Sequence, residues 1–182
     1  MNKRLLQLFY IGPAIIWMLV IFMGSTDIGN GQHSLSVVEF ILRFLAPYRL
    51  EQLSPQTLDV LNLVLRKACH VTEYAILTLL VVRAIQFGET RLKLGALAGA
   101  AAISALFACS DEIHQRFVPT RGPSPVDVMI DCIGVVLVII GLLLWFGIKS
   151  LERRLRRDSP PDQPQALARM PYQAVVNKEM GQ

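Results

Sequence analysis

The sequence predicts an all-α fold, a polytopic membrane bundle of four transmembrane helices with a short amphipathic helix, on three observations. Of the 182 residues 53% are hydrophobic and only 18% are charged, and the mean hydropathy is +0.44; about a quarter of an ordinary soluble domain is charged. Four apolar runs approach the length needed to cross a hydrocarbon core of about 30 Å at about 1.5 Å per residue. Most of the proline and most of the charge fall outside those runs. Three cysteines do not build a disulfide domain, and a net charge of +4 needs no nucleic-acid partner.

The first run, Leu5 to Gly24, is nearly uncharged and follows Asn2, Lys3 and Arg4. It is long for a signal peptide and no small-residue cleavage motif follows, so it reads as a retained span. Pro13 predicts a kink or irregular turn within it. Ser25 to Gly31 is a break. From Ser34 to Ala46, Val37, Val38, Phe40, Ile41, Phe44 and Leu45 recur at helical spacing, with Glu39 and Arg43 on the other side. This is the amphipathic helix, placed on the membrane surface or the bundle end and closed by Pro47. Ser54-Pro55 then starts a helix, a capping residue before proline at the first position, and Leu58, Leu61 and Leu65 carry its apolar side.

Ala68 to Phe87 is the second span, with Arg66 and Lys67 at its threshold. Leu94 to Cys109 is the third; it is short, so it is expected to extend through Asp111 or to continue from Arg91. Its Gly95 and Gly99, four apart among alanines, predict a close helix approach. Val126 to Ile148 is the fourth, led in by Ser124-Pro125, and Gly134 and Gly141 suggest tight packing along it. Residues 1–157 thus form the membrane domain. Residues 158–182 are too poor in apolar surface to fold alone and read as a disordered cytoplasmic tail. Basic residues near the spans (Lys3, Arg4, Arg83, Arg91, Lys93, Lys149 and four arginines from Arg153 to Arg157) place both termini in the cytoplasm.

That orientation gathers Lys67, His70, Glu73, Asp111, Glu112, His114, Gln115, Arg121, Asp127 and Asp131 at the outward-facing ends of spans two, three and four. An ionisable group in hydrocarbon is expensive and by default marks function. His70, Glu73, Tyr74 and Leu77 share one helix side, as do Asp111, His114 and Gln115; Asp127, Asp131, Gly134, Val138 and Gly141 form a stripe. In the plain fastening reading Lys67 or Arg121 pairs with Asp127, Arg116 with Glu112, and His70 with Asp131. The ionisable groups outnumber what such pairing requires, which favours a pocket or catalytic cleft. His70, Asp111, Glu112 and Asp127 are the acid–base candidates, and Lys67 and Arg121 suit a phosphate or carboxylate.

His70-x-x-Glu73 and Asp111-x-x-His114 each set two potential ligands on a helix face, but neither is an H-E-x-x-H or cysteine-pair signature. No metal and no cofactor is assigned. Ser25 and Ser110 lie in no nucleophile elbow. Cys69, Cys109 and Cys132 read as small buried hydrophobes rather than a disulfide pair.

Three blocks carry a resemblance. Lys67, His70, Tyr74 and Leu77 head the second span; Asp111 and Glu112 through Gln115, Phe117 and Pro119 to Arg121 read D-E-x-x-Q-x-F-x-P-x-R; Ser124, Asp127, Asp131 and Gly134 lead into the fourth. Together they resemble the VanZ-like family of small bacterial membrane proteins, over roughly residues 5–148. Ser25 resembles the family's serine after the first span. The segment from Ile28 to Arg66 matches weakly. Where this chain has Asp131 the family commonly has asparagine, so an amide that donates and accepts is replaced by a carboxylate.

The resemblance implies a multi-pass protein of the bacterial cytoplasmic (inner) membrane. The family's namesake is associated with low-level teicoplanin resistance. With the resemblance, the candidate binding residues are Lys67, Tyr74, Gln115, Arg121, Ser124 and Asp131. The expected function is a polar site at the outward-facing interface that binds or acts on a cell-envelope lipid or lipid-linked precursor. Its alternatives are a noncatalytic scaffold or accessory protein and a small-solute or ion transporter. The expected partners are the lipid bilayer and that precursor, with no nucleic acid; whether the protein is an enzyme, and its oligomeric state, stay open.

Overall fold

The computed structural model describes residues 3–26, 31–45, 48, 53–118 and 124–158. Five helices follow in order: α1 (Lys3–Gly24), α2 (Gly31–Leu45), α3 (Pro55–Gln86), α4 (Leu94–Gln115) and α5 (Pro125–Asp158). Four contain stretches long and apolar enough to cross a membrane, Leu5–Gly24, Pro55–Gln86, Leu94–Gln115 and Pro125–Arg157. The fold is an all-α membrane bundle with one shorter helix.

Local chemistry fixes the helix ends. The Ser54 hydroxyl accepts from the Thr57 amide at 3.2 Å and Pro55 opens α3, as a capped start requires. The helix then runs for 32 residues through Arg66 and Lys67 into the second span. The segment around Leu58 and the second span are therefore one element, because no breaker separates them and lysine and arginine are good helix formers. Phe87 (φ 47°) and Gly88 (φ 80°) end it in the left-handed region. A Cβ on Gly88 would strike the Tyr10 hydroxyl, which adds a second reason for glycine there.

Helix α4 starts at Leu94 and not at Arg91, and it reaches Gln115, beyond Asp111. Helix α5 starts at Pro125, where the Ser124 hydroxyl accepts from Val126 N at 3.2 Å, and continues past Ile148 to Asp158. Asp127 in its first turn complements the positive helix end. Helix α1 continues through Pro13. The amphipathic helix begins at Gly31, earlier than Ser34; Pro47, most of the expected break before it, and residues 159–182 lie outside the described residues.

The described residues up to Leu142 and those from Leu143 onward form two compact units. In the first, α3 packs against α1, α2 and α4. Tyr74, Leu77, Val81 and Val82 of α3 meet Leu97, Ala100 and Ala108 of α4, Ala14 and Ile21 of α1, and Val135 of α5. The buried face of α4 runs Ala96, Ala100, Ser104, Ala108 at four-residue steps, then continues into Asp111, Glu112 and Gln115. The same stripe that admits α3 closely through alanine thus turns acidic at its end. In the second unit Glu152 links Lys149 (3.2 Å) and Arg156 (2.9 Å) along the helix.

The expectations about small residues divide. A Cβ on Gly134 would collide with the Val71 carbonyl and lie 3.0 Å from Ala75 N, so α5 approaches the backbone of α3 there. At Gly99 it would meet the Ile85 side chain at 3.2 Å, whereas Gly95 and Gly141 have nothing within 4 Å among the described residues. The cysteines also depart from expectation: Cys69 and Cys109 are exposed and Cys132 half-buried, because they point from the helices away from the core.

Candidate functional site

The acidic end of the α4 stripe faces the middle of α3 and the first turns of α5. From α3, Lys67 forms an ion pair with Asp127 Oδ1 of α5. One turn further, His70 Nδ1 stands 3.6 Å from both Asp131 Oδ1 and Glu73 Oε2. Glu112 Oε1 accepts from the backbone N–H of Ser124, tying the end of α4 to the start of α5. Gln115 Nε2 donates to Asp111 Oδ2 at 3.0 Å and to Ser25 Oγ at 3.4 Å, which brings in the end of α1.

Tyr74 lies beneath these groups, fully buried, while Asp111 and Asp131 are each 3% exposed. The Tyr74 hydroxyl lies in the field of Asp111 and Asp131, and then of Glu73 and Glu112. Three of the buried oxygens, Tyr74 Oη, Asp111 Oδ1 and Asp131 Oδ1, have no hydrogen-bond partner among the described residues. Buried polar atoms are ordinarily bonded, so a group of three on facing helices needs an explanation.

The structure therefore brings together Lys67, His70, Tyr74, Asp111, Glu112, Gln115, Ser124, Asp127 and Asp131. Arg121 lies outside the described residues. Of the fastening pairs, Lys67–Asp127 is formed and His70 approaches Asp131 beyond hydrogen-bond length. Glu112 is held by the Ser124 amide instead of by Arg116, because the start of α5 brings that amide within reach. Among the described residues no group of three or more His, Cys, Asp and Glu side chains is placed to hold a metal ion.

Several participants escape a linear reading. Ser25, noted only through the resemblance, is 2% exposed and accepts from the Gln115 amide, a contact that spacing does not predict. Trp17 Nε1 donates to the Glu73 carbonyl at 2.9 Å, fixing α1 against the site-bearing turn of α3. Below Tyr74, Thr78 donates to the Tyr74 carbonyl at 2.7 Å and reaches Ser104 Oγ at 3.1 Å. Thr78, four residues after Tyr74, and Ser104, interrupting the alanine stripe, are the signals that could have exposed this pair. A cleft of about 170 Å³ opens between α4 and α5, lined by Cys109, Glu112, Ile113, Arg116, Ser124, Pro125 and Val128.

Long apolar helices with acids buried where three of them meet define a polytopic membrane protein with polar residues at its helix interfaces. The chain belongs to the VanZ/LLP1 family, whose family model matches residues 9–147. No curated protein and no solved structure matches it.

Proposed function

We propose that the junction of α3, α4 and α5 is a binding site for the headgroup of a cell-envelope lipid or lipid-linked precursor, at the outward-facing interface of the bacterial inner membrane. The observation that carries this reading is the set of buried oxygens on Tyr74, Asp111 and Asp131 that have no hydrogen-bond partner among the described residues. An unmade hydrogen bond at a buried group costs about 1–3 kcal/mol. A cap built only to fasten helices has no reason to retain three. A ligand bearing hydroxyl or amine donors satisfies them on binding.

Lys67, Gln115 and Ser124 hold this acceptor-rich seat in shape through Asp127, Asp111 and Glu112. His70, beside both Glu73 and Asp131, is the group best placed to exchange a proton with a bound ligand. The positive-inside bias supports placing the junction outside.

Asp111→Asn keeps the side-chain shape and removes charge. In cells dependent on this protein, it should lose envelope phenotype (glycopeptide susceptibility, detergent sensitivity and lipid profile) while protein level stays near the parent. Phenotype that falls only in step with protein level would sink the proposal and leave the scaffold reading.

A further inference from the structure

The cleft between α4 and α5 adds a feature that the buried oxygens do not supply. Its wall combines a buried carboxylate, Glu112, with an exposed guanidinium, Arg116, and the apolar surfaces of Ile113, Pro125 and Val128. Arg116 has no ion pair among the described residues, although it is one helical turn from Glu112. Ile113 is 56% exposed, and Phe117, Val126 and Met129 beside the cleft are exposed too. In a bilayer such a rim faces hydrocarbon chains, so the cleft is reached sideways from the membrane.

We infer that the α4–α5 cleft seats an amine-bearing, zwitterionic phospholipid, with the phosphate on Arg116 and the amine toward Glu112. This rests on the headgroup-site reading above and names its ligand class. Arginine suits the phosphate through its forked donors. The inner end of the cleft carries the Glu112 carboxylate, with Asp111 and the Lys67–Asp127 pair close enough to act on it, so carboxylates outnumber cations there. A headgroup ending in an ammonium is attracted there, whereas a purely anionic lipid or a pyrophosphate-linked precursor meets carboxylate at the same depth. The apolar wall commits the ligand to a lipid over its free headgroup.

The test uses the full chain purified in mild detergent. Its melting is followed during titration with phosphatidylethanolamine, with phosphatidylglycerol of the same acyl chains, and with soluble phosphoethanolamine. The parent should be stabilised at lower concentration by phosphatidylethanolamine than by phosphatidylglycerol, and not by phosphoethanolamine. Arg116→Gln should weaken both lipids by about tenfold, the loss of one charge-assisted bond. Glu112→Gln should erase the preference between them. Because that change also touches the Ser124 tie, Val128→Trp, which fills the cleft from its apolar side, provides a second variant and should weaken both lipids. Equal or tighter binding of phosphatidylglycerol by the parent, unchanged binding in Arg116→Gln, or equal stabilisation by phosphoethanolamine overturns the inference. If that happens while Asp111→Asn still loses phenotype at full abundance, the headgroup site stands without this ligand. Preference for phosphatidylethanolamine alongside phenotypes that merely follow protein level supports the cleft and overturns the envelope function.

Discussion

Lys67 and Asp127 show what one half-buried ion pair contributes to stability. Their side chains are 30% and 25% exposed, between a surface pair and a buried one. Surface pairs contribute about 0–1 kcal/mol, while breaking a buried pair costs about 3–5 kcal/mol. Lys67→Met should therefore lower stability by about 1–3 kcal/mol, measured by melting in detergent. The double variant Lys67→Met with Asp127→Asn should recover part of that loss, because no carboxylate is then left without its cation. Melting equal to the parent in the single variant would remove the pair as a fastener. His114 illustrates a different outcome for an ionisable residue: its ring lies 4.3 Å from that of Phe22, where it packs the end of α4 onto α1.

Among the elements, the α3–α5 contact depends on backbone approach at Gly134. Gly134→Leu should sharply reduce folded yield in detergent chromatography, since its Cβ has only the backbone of Val71 and Ala75 to displace. Gly95→Ala and Gly141→Ala meet open space and should be neutral or stabilising by up to about 1 kcal/mol from helix propensity. A yield for Gly134→Leu equal to theirs would contradict the contact. The helices themselves were legible from apolar run length, and the capped start at Ser54 was legible from two residues. The choice among glycines was not, because a single helix's spacing does not say which face its neighbour occupies. The site was legible in the same uneven way. Spacing put Asp111 and Gln115 on one face, and the family resemblance drew attention to Ser124, but Ser25 with Gln115 and Glu112 with the Ser124 amide depend on how separate helices meet.

At the scale of the whole molecule, the basic residues after α3 and at the end of α5 predict a single sidedness. Reporter fusions after Lys93 and after Arg157 should report the cytoplasm, and one at Glu51 the outside; the opposite pattern would move the polar site to the inner face and remove its access to outer-leaflet headgroups. The central claim is that the buried acids of this bundle are held for a ligand and not for stability. Function of that kind is commonly retained at a cost in stability. Asp131 lies in the field of Asp111, Asp127, Glu112 and Glu73, so neutralising it relieves repulsion as well as loosening its approach to His70. The most direct measurement is the melting of purified Asp131→Asn in mild detergent without added lipid. The account predicts a melting point at or above that of the parent; a fall equivalent to several kcal/mol, the signature of a broken buried pair, would contradict it.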